Sequence, residues 1–275
     1  MPSRHSINGM NKSTQAVAIG YGVVSYLTFL AAFLYAIGFV GGIGVPRSVD
    51  HALVAPLGQA TVVDSLLLGL FAVQHSVMAR PAFKRWWTRI VPRPVERSTY
   101  VLIASLVLFL LYWQWRSMPT QLWHVSFPPA RLGLWVLFWV GWATVLATTF
   151  MISHFELFGL RQVFLAWREK PPTGLGFRAP LLYRVVRHPM MLGFIIAFWA
   201  APTMTAGHLL FAVATTGYIL IAVQLEERDL GVALGAEYRD YRRQVPILLP
   251  WPGATCRRAW RTCQPSRRSD EIALG

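Results

Sequence analysis

The residues whose chemistry is hardest to explain by packing alone flank the last apolar stretch of this 275-residue chain. Arg187-His188-Pro189 stands directly before that stretch and Glu226-Glu227 directly after it. A fold-back between them brings a guanidinium, an imidazole and two carboxylates to one place. Gly193 follows four residues after the proline, and Gly235, Tyr238 and Tyr241 follow the carboxylates. Other ionisable side chains lie within apolar runs, where a charge is costly and marks function by default. Asp64 and His75 share one run; at about 16 Å along a helix they lie on one face without touching. His154-Phe155-Glu156 closes another run, ahead of Arg161 and Gln162. An imidazole titrates near neutrality and can take up a proton, so His75 and His154 are candidate bases, with Glu156 available to orient one of them. Each position has a plainer alternative. Asp64 can cap a helix start after Thr61, His154 can offset a helix dipole, and Glu156 with Arg161 can form an interfacial ion pair.

The elements that must position these residues are membrane spans. Hydrophobic residues make up 55% of the chain and charged residues 14%, against about 25% charged in soluble proteins. That balance excludes a soluble globule, a disordered chain, a collagen-like repeat and a disulfide-stapled scaffold. The runs from about Ala16 to Val40, Thr61 to Met78, Thr99 to Trp115 and Leu132 to Ile152 are each long enough for a hydrocarbon core about 30 Å thick. Met190 to Leu225 is too long for one crossing, about 54 Å as a helix. Pro202 and the Gly207-His208 pair interrupt it, which predicts a hairpin of two short helices over 190–204 and 209–225. The fold class predicted is therefore all-α, a multi-pass integral membrane helical bundle of about six spans whose last two form a short helical hairpin.

The basic residues fix an expected orientation. Six Lys and Arg lie in 79–98, six in 153–189 and nine after 225, against one in 41–60 and two in 116–131. By the positive-inside rule the first three segments face the cytoplasm, and an even number of spans puts both termini there. The formal net charge of +14 then meets anionic lipid and needs no nucleic acid. Cys256 and Cys263, both in the basic tail, are too few for a structural zinc site, and no metal is expected. No signal peptide is expected at the N-terminus.

Tyr183-Arg184-Val185-Val186-Arg187-His188-Pro189-Met190-Met191-Leu192-Gly193, then a hairpin, then Glu226-Glu227, Gly235, Tyr238 and Tyr241, resembles the membrane family of isoprenylcysteine carboxyl methyltransferases and phospholipid N-methyltransferases. Three further segments narrow the resemblance to bacterial methanethiol S-methyltransferases. They are Gln74-His75-Ser76-Val77-Met78-Ala79-Arg80-Pro81, the run from His154 through Phe158-Gly159 to Arg161-Gln162, and His188-Pro189-Met190-Met191. The broader family usually has Tyr where this chain has Met191, and Gly-Pro where it has Leu181-Leu182. Those departures separate it from the prenylcysteine and phospholipid enzymes.

The resemblance implies an S-adenosylmethionine-dependent enzyme that methylates a small thiol, methanethiol to dimethyl sulfide. It implies that His188, Pro189 and the backbone through Met191 and Gly193 hold the cofactor. Glu226 and Glu227 would take its amino or ribose end, Arg187 its carboxylate, and Tyr183 and Tyr238 would wall the pocket. His75 is then the first candidate for the base and His154 the second, with Glu156 and Asp64 in support. The implied layout is a cytoplasmic segment 1–15, a four-span bundle 16–189 with basic cytoplasmic loops, a hairpin and cytoplasmic cofactor-binding segment 190–250, and a basic, disordered tail 251–275. The expected location is a bacterial inner membrane, with lipid and the small thiol as partners and no obligate protein partner. Two alternatives stay open on the sequence. One is methyl transfer to a lipid amine or a prenylcysteine carboxylate; the other is a small transporter or sensor with a proton path through Asp64, His75 and His154.

Overall fold

The computed structural model describes residues 12–168 and 179–250. Backbone amides in hydrocarbon are satisfied only within helices or closed barrels, and the apolar runs are helical. The helices are α1 (Lys12–Gly41), α2 (Leu57–Ala79), α3 (Pro81–Trp87), α4 (Arg93–Gln114), α5 (Pro128–Ile152), α6 (His154–Leu157), α7 (Leu160–Trp167), α8 (Pro189–Trp199), α9 (Ala206–Leu234) and α10 (Ala236–Gln244). Of these, α1, α2, α4, α5 and α9 are long and apolar enough to cross a membrane, and Val17, Leu66, Leu132 and Ile221 are among their many exposed apolar side chains. The protein is an all-α, multi-pass membrane bundle. Proline occupies the first or second position of α3, α4, α5 and α8, where its missing N–H costs nothing and its fixed φ starts the helix.

Three connections knit one side of the bundle together. Strand β1 (Leu53–Val54) pairs in parallel with β2 (Arg116–Ser117), and β3 (Gln121–His124) pairs antiparallel with β4 (Thr203–Thr205). The turn between α8 and α9 therefore lies with the α1–α2 and α4–α5 connections, as a fold-back within the last apolar stretch requires. His208 pins that turn. Its Nε2 donates to the Phe198 carbonyl at 3.0 Å while Nδ1 lies 3.5 Å from Asp50, which also accepts from the Thr205 hydroxyl.

The arms of the hairpin are unequal, unlike the two short helices expected. Helix α8 has 11 residues and α9 has 29, about 16 Å and 44 Å. Pro202 does lie in the turn, but Gly207-His208 opens α9 instead of breaking it. Thr205 is the N-cap, accepting from the His208 N–H at 3.1 Å, a standard use of a threonine hydroxyl. No breaker stops α9 until Gly235, whose φ of +62° costs a residue without Cβ little. Glu226 and Glu227 consequently sit inside α9, two turns before its end.

Helix α8 lies against α5 with almost no side chain between them. A Cβ on Gly141 would stand 2.7 Å from the Gly193 carbonyl oxygen, and one on Gly193 would stand 2.8 Å from that of Gly141. The close approach expected at Gly193 is thus made to a neighbouring helix. Beside this contact Trp142, Phe198 and Phe211 join Phe39, Trp115 and Phe138 in the main core. The basic tail placed at 251–275, its two cysteines and residues 1–11 of the N-terminal segment lie outside the described residues.

Filling the α5–α8 contact should cost stability at either glycine. Gly141→Ala and Gly193→Ala should each lose about 1–3 kcal/mol, read as a lower thermal unfolding midpoint in detergent. A Gly193→Ala protein that melts with the wild type would contradict this packing role.

Candidate active site

At one end of the bundle the chain buries the carboxylate of Glu227, which is 3% exposed. A lone buried carboxylate is expensive, and three donors converge on this one. Arg187 Nε lies 2.6 Å and His188 Nε2 3.3 Å from Oε1, and Arg242 Nε lies 3.2 Å from Oε2. The carboxylate and its partners join three elements: Arg187 and His188 stand at the start of α8, Glu227 in the body of α9 and Arg242 at the end of α10. Arg187 also donates through Nη1 to the carbonyls of Arg242 and Val245 at the C-terminus of α10, where a helix's last carbonyls lack intrahelical donors. Backbone pairs Arg187 N to Pro246 O, 2.8 Å, and His188 N to Ile247 O, 3.2 Å, close the knot. With Nε and Nη1 so engaged, Arg187 is tied to Glu227 and α10.

Glu226 behaves differently. Its side chain is 49% exposed and its Oε2 lies 3.7 Å from His188 Nδ1. Burial first, and then the Glu226 charge, hold the Tyr183 hydroxyl above its ordinary range. Tyr238, buried on α10, is pushed up to about 12 by burial and by the charges of Glu227 and Glu226, against the pull of Arg187. Tyr241 donates to the Tyr183 carbonyl at 2.6 Å, fixing that turn. Pro189 is buried at the first position of α8, and Met191 is partly buried in its first turn. The half-exposed carboxylate beside an imidazole suits a ligand that offers hydroxyl or ammonium groups.

His75 lies near the same end of α2. The Tyr100 hydroxyl from α4 is 3.0 Å from Nδ1 and 2.9 Å from Nε2 of its ring. Phe71 stacks on the other side with centroids 5.2 Å apart, and Tyr218 from α9 packs edge-on to Phe71 at 6.3 Å. Ser76 donates to the Tyr218 hydroxyl at 3.2 Å, and Arg80 pairs with Asp229 at 2.9 Å, so two bonds tie α2 to α9. The His75 group thus lies on a helix tied to the one that carries Glu226.

The remaining candidates are not brought there. His154 is held in the bundle with both ring nitrogens engaged. The Thr149 hydroxyl donates to the Leu146 carbonyl at 2.7 Å, so it accepts from His154 Nδ1–H at 2.8 Å, leaving Nε2 to accept from the Tyr26 hydroxyl at 2.9 Å. Stacking on Phe150 completes its burial, and burial lowers its pKa. Glu156 pairs with Arg161 and not with a histidine. Asp64 is fully buried at the opposite end of α2, two turns inside the helix, and its Oδ1 accepts from the Arg116 N–H at 2.9 Å. It caps β2 of the far connections, not the start of its own helix. Sequence reasoning missed Tyr100, Tyr218, Phe71 and Arg242. In a chain with 16 Phe, 12 Trp and 9 Tyr, nothing local separates a site aromatic from a lipid-facing one.

Comparison with known proteins places the chain among membrane enzymes. A family model described as NnrU protein matches residues 65–225. A methanethiol S-methyltransferase of Mycobacterium tuberculosis is 70% identical over 236 residues, covering 86% of this chain and 97% of that protein. Methanethiol S-methyltransferase 2 of Bradyrhizobium diazoefficiens is 57% identical over 84% of this chain and 88% of its own length. Nurim of Rattus norvegicus is 31% identical over 68% of this chain and 78% of that protein. No solved structure matches.

Two outcomes follow from the geometry. Glu227→Ala leaves Arg187 buried without its counter-charge and should cost about 3–5 kcal/mol, read by unfolding in detergent followed through tryptophan fluorescence. An unchanged midpoint would refute the knot. His154 is one pH-sensitive element. Its folded pKa is lowered, so the unfolded chain binds the proton first as pH falls through the ordinary value of 6.5. Its stabilisation is complete above that value and is lost below it. The difference in melting midpoint between wild type and His154→Gln should therefore narrow from about pH 8 to about pH 5.

Proposed function

Because this chain belongs to the NnrU protein family and to its methanethiol S-methyltransferase branch, we propose that it methylates methanethiol to dimethyl sulfide with S-adenosylmethionine as methyl donor. The observation that carries the assignment is the bridge between the two groups of residues. Tyr100 is bonded to His75 on α2, Glu226 lies on α9, and the Ser76–Tyr218 and Arg80–Asp229 bonds tie those two helices, so a donor held at Glu226 and a thiol held at His75 share one seam.

Glu226 and His188 would hold the amino or ribose end of the donor, with Tyr183 and Tyr238 as walls. Bound there, the donor supplies a methyl carbon on a sulfonium, and the electron pair of the broken carbon–sulfur bond returns to its sulfur as the new bond to the acceptor sulfur forms. His75 takes the thiol proton on a ring nitrogen, and the Tyr100 hydroxyl fixes the ring for that transfer. The surrounding rings keep water away. A cation and a thiolate become two neutral thioethers, so a water-poor site with fixed polar groups favours the transfer. Glu226 lies eight residues beyond Tyr218 on α9, about 12 Å further along the axis, a separation that leaves room for a donor between carboxylate and thiol. The end carrying His188, Glu226 and α10 faces the cytoplasm of a bacterium on this reading, with both chain termini there. Six basic residues in each of 79–98 and 153–189 support that orientation.

Purified protein in detergent should produce dimethyl sulfide from methanethiol and S-adenosylmethionine, read by headspace gas chromatography. His75→Gln should lower kcat by about 10²–10⁴-fold with donor affinity unchanged by calorimetry. Glu226→Gln should weaken donor binding at least about tenfold with the melting midpoint unchanged. Wild-type turnover in His75→Gln would remove it as the base.

A further inference from the structure

The neighbours of His75 carry an assignment beyond the reaction itself. Helix α2 runs from the β1–β2 side toward the Glu226 side, so Phe71 stands one turn from His75, about 6 Å, in the direction away from Glu226. Its ring stacks on the imidazole at 5.2 Å with planes 25° apart. The Tyr218 ring backs it at 6.3 Å, edge-on. Tyr218 is in turn held by Ser76, and the Arg80–Asp229 pair ties the same two helices, so the α2–α9 seam is fixed at two points. Tyr100 closes the α4 side, its ring 5.1 Å from that of His75. Phe71, His75, Ser76 and Tyr218 are each only partly buried. The rings in contact with His75 carry no net charge, so the subsite suits a neutral apolar thiol.

Resting on the reaction proposed above, we propose that Phe71 sets the length of the acceptor. A thiol with its sulfur turned toward Glu226 and its proton toward His75 points its alkyl group along α2 at Phe71. One carbon fits before the ring; a longer chain meets it. Phe71, backed by Tyr218, is the specificity-determining side chain, and Tyr100 and Tyr218 are the lateral walls.

The test compares methanethiol with 1-butanethiol by the kcat/KM of methyl transfer, both products being read by gas chromatography. A hydrophobic pocket discriminates by roughly 10- to 200-fold per methylene. Phe71→Ala should therefore raise the butanethiol-to-methanethiol ratio at least about tenfold. Phe71→Leu, a milder truncation less liable to disturb folding, and Tyr218→Ala, which removes the backing ring, should move the ratio in the same direction by less. Leu66→Ala, on the lipid-facing side of the same helix, should leave it unchanged. Dimethyl sulfide production retained with an unchanged ratio in Phe71→Ala and Phe71→Leu would overturn the assignment of Phe71 and leave the reaction standing. Wild-type protein that methylates neither thiol would overturn both.

Discussion

A carboxylate buried at the end of a membrane bundle must be neutralised, and the arrangement of the candidate site follows from how Glu227 is neutralised. The arginine before α8, the histidine that caps α8 and an arginine from the last turn of α10 all reach it. None of the three elements can shift without stranding a charge. The arrangement also separates two adjacent glutamates. Successive residues on a helix point about 100° apart, so with Glu227 turned into the knot Glu226 is turned out of it. One glutamate holds the structure together and the other is left half exposed.

The far side of the bundle supplies the second constraint. The connections around β1–β4 hold α2, α4 and α9 at their distal ends through Asp64, Asp50 and His208. Helices fixed at that end and tied again through Ser76–Tyr218 and Arg80–Asp229 present Phe71, His75, Tyr100 and Tyr218 in one register. The proposed chemistry needs such a frame, since methyl transfer depends on holding donor and acceptor sulfur in line. His154 contributes to the frame by tying α5 to α1 through Thr149 and Tyr26.

Much of this was legible in the chain. Long apolar runs and the count of basic residues give the bundle and its fold-back. The order Arg187-His188-Pro189, hairpin, Glu226-Glu227 gives the cluster, because a hairpin brings its ends together whatever its detailed shape. The rest was not legible for identifiable reasons. Glu226 and Glu227 are the same residue type, and only the phase of α9 distinguishes them. Gly193 reads equally as a ligand-approach or a helix-packing glycine until Gly141 is seen opposite. Arg187 looks available for an anion until the carbonyls at the end of α10 are found on it. Asp64 reads as a cap for its own helix until the Arg116 N–H is found on it. Tyr100 and Phe71 gave no signal because aromatic residues are as common on lipid-facing surfaces as in sites.

The central claim is that the donor at Glu226 and the thiol at His75 occupy one continuous space. A structure of the protein with the demethylated donor and methanethiol bound tests it most directly. The account predicts the amino or ribose group of the donor on Glu226, its sulfur turned toward α2, and the thiol sulfur within hydrogen-bond reach of His75 beneath Phe71. A donor whose carboxylate displaces Glu227 from Arg187, or whose sulfur opens away from α2, would contradict it.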